Sequence, residues 1–329
     1  MKNLIIDAGT TNARVTLIDE AGRVLGCEKR DAGVRHTAID GHNGRLKEAL
    51  RSSIDALLAQ NRLTFADIGV ITAYGMITSN VGLHEVPHCA APADAAALHS
   101  AIVRRAFPEI APVAIDFIPG VRNFAEAVTP ANAAHMDMMR GEETEAIGLY
   151  HLLRPGRRCI FVLPGSHNKF IAMSARGEIL GCMTAISGEL LDALTHHTIL
   201  ADAVERSFVT AQTYDPALMT AGLEAGFESG LGRAAFTGRI LRTLGGLRAQ
   251  DAANYLLGVT LSADVQALRA FHLRQTDDAL FVAGKAPLQR ALCDALAASG
   301  FADVSGVEPG ITAAMGVAGA RIIHGEMGL

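Results

Sequence analysis

The first residues able to do chemistry lie in a turn near the start of the chain. The apolar run Leu4–Ile6 ends at Asp7, and a polar turn separates this aspartate from Arg14. The turn offers amides and hydroxyls from Gly9, Thr10, Thr11 and Asn12. A carboxylate at the end of a buried strand can hold a hydrated Mg²⁺ ion, and amides and hydroxyls can donate to phosphate oxygens. The spacing indicates a phosphate and Mg²⁺ site to which Arg14 adds positive charge, although a plain hairpin fits the same pattern.

A second turn of similar chemistry follows the apolar segment Cys159–Leu163. It begins at Pro164, and its candidate phosphate-binding residues are Gly165, Ser166, His167, Asn168 and Lys169. Amides, hydroxyls and cationic side chains are the groups that bind phosphate in proteins. Taken alone, these residues also fit an ordinary polar hairpin.

A run of acids opens a predicted helix between the two turns. Met139–Gly148 contains Arg140, Glu142 and Glu143, and the helical pattern continues to Leu153. Acids near a helix N-terminus interact favourably with the helix dipole, so capping alone would account for them. Their position just before the second turn needs another explanation.

The elements that carry these residues form two similar series. Strands are predicted over Leu4–Asp7, Ala13–Asp19 and Arg23–Lys29, and a second set of three begins at Cys159. Each set is followed by helical and strand-like segments, among them predicted helices over Asp94–Ala106 and Ala249–Ala270. This alternation predicts an α/β protein of two domains. We place the first at residues 1–139, completed by a C-terminal helix at 310–329, and the second at 140–309.

The order of these motifs resembles the superfamily of sugar kinases, heat-shock ATPases and actin. Asp7–Arg14 is similar to the first phosphate hairpin, Pro164–Lys169 to the second, and Leu280–Gly284 to the strand and turn that carry adenosine. The resemblance implies two actin-like (ribonuclease H-like) domains with an interdomain nucleotide cleft. It also implies that Gly284 and Lys285 bind adenosine. No P-loop sequence GxxxxGK[ST] occurs in the chain.

More narrowly, several stretches resemble the 2-keto-3-deoxygalactonate kinases. They are Tyr74–Gly82, Met139–Thr144, Pro164–Lys169 and Ser187–Leu190. This resemblance implies that Glu142 orients the substrate hydroxyl and accepts its proton, with Glu143 as the reserve candidate, and that Asp7 binds Mg²⁺. Ser166 and Asn168 stand where some relatives have Thr and Cys, a change that retains the hydroxyl and the amide.

The substrate of such an enzyme would need donors for a carboxylate and for hydroxyls. Arg140 can pair bidentately with a carboxylate, although a surface arginine near a helix start fits as well. Ser79 and Asn80, in the loop after a predicted strand, are candidates for sugar hydroxyls, and Met76 lines the same loop. A polar turn without a ligand is the alternative for this loop.

The resemblance implies phosphorylation of the C6 hydroxyl of 2-dehydro-3-deoxygalactonate by ATP, with Mg²⁺ as cofactor, in galactonate degradation. A kinase for another sugar acid, such as 2-dehydro-3-deoxygluconate, and an ATPase or phosphohydrolase of the same superfamily are the alternatives. The net charge of −5 argues against nucleic acid as a partner. Five widely spaced cysteines without a CxxC pair are typical of a reduced, cytoplasmic protein. We expect no membrane partner, and a homo-oligomer stays open.

Overall fold

The computed structural model describes residues 1–325, which form two compact units. The first unit consists of Met1–Gly156, Ser174–Gly181 and the residues from Ala313 onward, and the second of Arg157–Met173 and Cys182–Thr312. The helix that begins at Glu142 therefore belongs to the first unit, beyond the boundary we drew at residue 139. The assignment of each unit as one actin-like domain stays a prediction.

The first unit is built around a six-stranded sheet. Its elements are β1 Lys2–Ala8, β2 Ala13–Ile18, β3 Val24–Arg30, α1 Val34–Asp40, α2 Gly44–Gln60, β4 Ile68–Gly75, β5 Cys89–Ala90, α3 Ala95–Ser100, β6 Val103–Arg105, β7 Ile115–Phe117, β8 Val121–Arg122, β9 Met138–Met139 and α4 Glu142–Leu153. The strand order is β3-β2-β1-β4-β7-β6, while β5, β8 and β9 form a small separate sheet. β1 runs antiparallel to β2 and parallel to β4.

The core of this unit follows from two simple periodicities. Alternate residues of β1, Leu4, Ile6 and Ala8, are buried on one face of the sheet. Leu46, Leu50, Ile54 and Leu57 of α2 recur at helical spacing and pack in the same cluster. The apolar stripe of α2 thus covers the sheet face beneath the first predicted phosphate turn.

The second unit repeats the strand order of the first. Its elements are β10 Cys159–Leu163, β11 Asn168–Met173, β12 Ile179–Ala185, α5 Ser187–His196, α6 Pro216–Thr243, α7 Ala249–Ala270, β13 Ala279–Val282, α8 Leu288–Ala298 and β14 Val304–Gly306, and α9 Pro309–Ile323 follows. The first three residues of β12 are counted with the first unit. The order β12-β11-β10-β13-β14 matches β3-β2-β1-β4-β7 position by position. In both sheets the hairpin of the first two strands carries a predicted phosphate turn. No helix in the described part of the chain is both long and apolar enough to cross a membrane.

The predicted helix Asp94–Ala106 is wrong in its second half. Helix α3 ends at Ser100, and β6 follows it, pairing antiparallel with β7. Arg104 on β6 donates two hydrogen bonds to Asp116 on β7, with N···O distances of 2.6 and 2.7 Å. This bidentate pair and the sheet ladder stabilise an extended segment that local helix propensity does not favour.

The C-terminal helix α9 packs against α4 at two glycines. A Cβ atom on Gly319 would lie 1.8 Å from the carbonyl oxygen of Thr144, and one on Gly148 would lie 1.9 Å from that of Met315. Because only hydrogen fits between the two backbones, no larger residue is accommodated at either position. The position of α4, the helix that begins at Glu142, therefore depends on its packing against α9.

We expect Gly319→Ala to destabilise the protein by about 1–3 kcal/mol or more, because the added methyl must push α4 and α9 apart. Gly310→Ala is the matched control, since the same change in the same helix meets no atom within 4 Å. Urea unfolding measures both. A Gly319→Ala midpoint equal to that of Gly310→Ala would contradict the close helix contact.

Candidate active site

The first predicted phosphate turn connects β1 to β2 and is tightly closed. Asp7 pairs with Arg14 and Ala8 with Ala13 in the antiparallel ladder, and the Gly9 N–H donates to the carbonyl oxygen of Asn12 at 2.9 Å. The structure thus brings Asp7 and Arg14 together at the mouth of the hairpin. The guanidinium of Arg14 lies 3.7 Å from the Asp7 carboxylate.

The turn is held from below by the start of α1. The N–H groups of Gly33, Val34 and Arg35 donate to the carbonyl oxygens of Thr11, Gly9 and Thr10, at 2.8, 3.1 and 2.9 Å. Gly33 permits this approach, since a Cβ atom there would lie 2.3 Å from the Thr10 carbonyl oxygen. The carbonyl groups of the turn therefore face α1.

The donors of the same turn remain available. Within residues 1–325, the N–H groups of Thr10, Thr11 and Asn12 have no protein acceptor, and both threonines are exposed. Successive N–H groups with their carbonyls directed away form a concavity suited to an anion. The geometry fits a phosphate group at this turn.

Asp7 lies in an unusual electrostatic environment for a surface hairpin. Burial raises the pKa of its carboxyl, the charge of Arg14 lowers it, and the charge of Glu142 raises it. Asp7 and Glu142 are therefore electrostatic neighbours, although they are far apart in sequence. A divalent cation beside Asp7 would relieve this repulsion and favour the ionised carboxylate.

Glu142 and Glu143 begin α4 but point into different surroundings. Glu143 is fully buried, and both of its carboxyl oxygens accept from the Gly141 N–H, at 2.9 and 2.8 Å. Gly141 has φ +115°, a conformation that favours glycine. Glu142 is only partly buried. Glu143 is thus engaged with the backbone that precedes the helix, while Glu142 keeps access to solvent.

Burial raises the pKa of Glu143 to about 8, and the charge of Glu142 adds to the shift. A carboxyl whose pKa is higher in the folded than in the unfolded state binds its proton more tightly when folded. Its contribution to stability is fully present below about pH 4.5 and is lost as the pH rises through about 8. We therefore expect the urea midpoint to fall over this pH range.

Glu143→Gln should make this pH dependence shallower, because the amide keeps an acceptor for the Gly141 N–H but cannot ionise. Glu48→Gln, at an exposed position of α2, is the control and should leave the slope unchanged. Urea midpoints measured between pH 5 and 8 give the comparison. An unaltered slope for Glu143→Gln would show that this carboxyl does not titrate as described.

The residues predicted to bind the sugar surround the end of β4. Arg140 donates to the Thr78 hydroxyl at 2.8 Å and to the Val86 carbonyl at 2.9 Å, so it holds the loop that follows β4. Ser79 is buried, and its hydroxyl donates to the backbone carbonyl of Met76. The Met76 side chain packs against the core of the unit. Asn80 is exposed. Arg140 and Ser79 therefore have structural partners, whereas Asn80 presents its amide to solvent.

The second predicted phosphate turn connects β10 to β11 and is fastened by a side chain. The carboxamide oxygen of Asn168 accepts from the Gly165 N–H at 3.0 Å, which closes the turn. Lys169 is buried, and its ammonium donates to the Thr184 hydroxyl at 2.6 Å. Both side chains thus support the hairpin from within.

The tip of this hairpin rests on the start of α5. The Glu189 N–H donates to the Ser166 carbonyl at 3.0 Å, and the imidazole of His167 lies 3.1 Å from the Glu189 carboxylate. A Cβ atom on Gly188 would lie 2.2 Å from the Gly165 carbonyl oxygen. The turn carbonyls again face a helix start, as in the first hairpin, while Ser166 and His167 are exposed.

The predicted adenosine-binding residues lie just after β13. Gly284 packs against the ring of Pro164. A Cβ atom at position 284 would lie 2.3 Å from the Cγ atom of this proline. Lys285 is exposed. The structure therefore places Gly284 beside the second hairpin within the same unit and leaves the Lys285 side chain at the surface.

A model of the family described as 2-keto-3-deoxy-galactonokinase matches residues 7–318. The chain belongs to this family. The match includes both hairpins and the start of α4.

Individual relatives of the 2-keto-3-deoxy-galactonokinase family agree. The chain is 29% identical over 206 residues to the Rhizobium meliloti protein named "Probable 2-dehydro-3-deoxygalactonokinase DgoK1", covering 60% of this chain and 58% of that relative. A solved structure described as "a putative 2-dehydro-3-deoxygalactonokinase protein from Sinorhizobium meliloti" superposes with a TM-score of 0.77 at 24% identity, over 97% of this chain and 98% of the other.

A more distant structure has the same fold. The activator of the 2-hydroxyisocaproyl-CoA dehydratase from Clostridium difficile superposes with a TM-score of 0.51 at 13% identity, over 98% of this chain and 93% of that chain. The predicted α/β fold class is thereby confirmed.

Two residues near the acids escaped the sequence analysis of this family member. Glu145 has its pKa raised to about 8 by burial first and then by the charges of Asp7, Glu142 and Glu143. Tyr74 is buried at the end of β4, and burial and the charge of Asp7 raise the pKa of its hydroxyl. Glu145 follows Glu142 by three positions, a helical spacing that places both on one face and would have identified it.

The fit of Mg²⁺ can be tested on these residues. Within residues 1–325, no group of three or more His, Cys, Asp or Glu side chains is arranged to hold a metal ion. Mg²⁺ retains several waters and needs as few as one protein carboxylate when phosphate supplies further oxygens. Asp7, which is half-buried beside the donor-rich turn, fits that role.

Proposed function

We propose that this member of the 2-keto-3-deoxy-galactonokinase family is a sugar-acid kinase. It transfers the γ-phosphoryl group of ATP to the C6 hydroxyl of 2-dehydro-3-deoxy-D-galactonate, giving 2-dehydro-3-deoxy-6-phospho-D-galactonate and ADP. The charge of Glu142 acts on the Asp7 carboxyl, and Gly75 lies close to both Asp7 and Gly141, the residue before Glu142. This proximity supports the proposal most directly. A candidate proton acceptor and a candidate metal ligand thus meet at an anion-binding turn.

The proposed roles follow from the chemistry of phosphoryl transfer. The transition state is loose, so alignment and charge neutralisation contribute more than early deprotonation of the hydroxyl. In the proposal, the backbone amides of Thr10, Thr11 and Asn12 bind phosphate oxygens, and Arg14 adds positive charge. The second hairpin contributes the amides of Ser166 and His167. Mg²⁺ held by Asp7 would neutralise phosphate charge.

Glu142 is proposed to orient the attacking hydroxyl and to accept its proton. The C6 oxygen forms a bond to the γ-phosphorus, the bond to the bridging oxygen of ADP breaks, and the proton passes to the Glu142 carboxylate. Burial of Glu143 against Gly141 supports Glu142 as the base. Arg140 and Asn80 are proposed to bind the sugar acid, with Met76 and Ser79 shaping their loop, and Gly284 and Lys285 are proposed to bind adenosine.

A coupled assay of ADP release tests the activity. The substrates are 2-dehydro-3-deoxygalactonate, its gluconate-derived epimer and simple hexoses, and mass spectrometry of the product locates the phosphate. We expect ADP release that depends on the galactonate-derived acid. Strong ATP hydrolysis unaffected by any sugar acid would favour a phosphohydrolase and overturn the proposal, and preference for the epimer would change the assigned substrate.

A further inference from the structure

A buried carboxylate lies directly beneath the second hairpin. Asp264, on α7, is 1% exposed and accepts a hydrogen bond from the Asn168 carboxamide nitrogen at 2.6 Å. Its other oxygen accepts from the hydroxyl of Ser187, the first residue of α5. One side chain therefore joins the hairpin to the helix on which the hairpin tip rests.

The bond to Asn168 determines the shape of the turn. The same carboxamide donates to Asp264 through its nitrogen and accepts from the Gly165 N–H through its oxygen. Because the two ends of an amide are chemically distinct, the carboxylate fixes which end faces the turn. With the amide reversed, a nitrogen would face the Gly165 N–H and the turn would lose its closing bond.

Burial of the Asp264 carboxylate lowers the stability of the folded protein. Burial raises the pKa of Asp264 to about 6, against the lowering effect of the bonds from Ser187 and Asn168. The partners given for its two oxygens are the neutral side chains of Asn168 and Ser187. A buried charge held by neutral donors is unfavourable for stability. The role of Asp264 therefore lies in the geometry of its two hydrogen bonds.

We propose that Asp264 is a positioning residue, which holds the second hairpin in its phosphate-binding shape through Asn168 and Ser187. The proposal rests on the proposed function, in which this hairpin binds the phosphates of ATP. Asp264 itself contacts no reacting atom. It acts by orienting the Asn168 carboxamide, which in turn aligns Gly165 and the amides at the tip.

Exchange of the two side chains tests this positioning. In Asn168→Asp, two carboxylates face each other where an amide now meets an acid, so the turn should be displaced. We expect the KM for ATP to rise at least about tenfold, with a smaller change in kcat. Adding Asp264→Asn restores one amide and one acid, so that every hydrogen bond can re-form. The new carboxylate at position 168 accepts from the Gly165 N–H and from the new carboxamide nitrogen at position 264. The carboxamide oxygen at position 264 accepts from the Ser187 hydroxyl.

We expect this double variant to return the KM for ATP to within about threefold of wild type. Thr260→Val is the matched control, because Thr260 is equally buried on α7 but its hydroxyl donates to the Leu256 carbonyl of its own helix. A purely structural role would lower the melting temperature and the active fraction of each variant without moving the KM. Unchanged KM for Asn168→Asp, or no rescue by the second substitution, would overturn the positioning role.

Failure of the proposed function would look different. A wild-type chain without sugar-acid-dependent ADP release would contradict the kinase assignment. Calorimetric binding of a non-hydrolysable ATP analogue by the same variants would then still decide whether Asp264 positions a phosphate site. Loss in Asn168→Asp with recovery in the double variant supports the positioning role, and equal affinity of all variants contradicts it.

Discussion

Replacing Glu142 by Gln is expected to lower kcat by about 10²–10⁴-fold while leaving ATP affinity close to that of wild type. The amide keeps the size of the side chain but cannot accept the proton of the sugar hydroxyl. It also removes a negative charge that raises the pKa of Asp7 and of Glu143. The coupled ADP assay gives kcat, and calorimetry with a non-hydrolysable analogue gives affinity.

Glu143→Gln provides the comparison for this result. Glu143 is buried and bonded to the Gly141 backbone, so its substitution should reduce turnover much less than that of Glu142. Near-normal turnover in Glu142→Gln would remove Glu142 from the role of base. If Glu143→Gln instead abolished turnover, the reserve assignment from the sequence would take its place.

Replacing Asp7 by Asn should lower activity by about 10²-fold or more and shift the Mg²⁺ dependence to higher concentration. Several kcal/mol of transition-state stabilisation come from a metal at a transferring phosphoryl group, and an amide is a weaker Mg²⁺ ligand than a carboxylate. Initial rates over a Mg²⁺ titration measure the shift. Binding of the ATP analogue with and without Mg²⁺ separates the metal from the nucleotide.

Asp19→Asn is the matched control for Asp7→Asn. Asp19 lies just after β2, at the other end of the same hairpin strand, and its carboxylate accepts from the Arg23 backbone and guanidinium. Its substitution affects local stability but not the turn, so the Mg²⁺ dependence should be that of wild type. The metal assignment fails if Asp7→Asn shows the wild-type Mg²⁺ dependence.

The sequence predicted the elements with strong local signals. The apolar run of β1 ends at Asp7, and β2 alternates apolar and polar residues after the turn. Helix α4 runs over Glu142–Leu153 as predicted, because acids mark its start. By contrast, β6 depends on its pairing with β7 and on Asp116, which lies beyond a loop. Local propensity does not carry that information.

Residues that support the site from behind were the hardest to predict from the sequence. Gly33 matters because α1 approaches the Thr10 carbonyl, a contact between segments with no common pattern. Asp264 had one available signal, an acid beyond the first turn of α7 in a mostly apolar stretch, which predicts a buried partner without identifying it. Its partner Asn168 was assigned to phosphate because the turn composition alone cannot distinguish a ligand from the residue that closes the turn.

The close contact of α4 with α9 has a consequence for synthesis on the ribosome. The segment from Ala313 onward emerges only after the whole second unit, so the first unit stays incomplete while the second is already translated. Until then, Thr144 and Gly148 of α4 lack the α9 backbone that packs against them. The first unit would therefore gain its last helix only at the end of synthesis, which makes it the unit more in need of a chaperone.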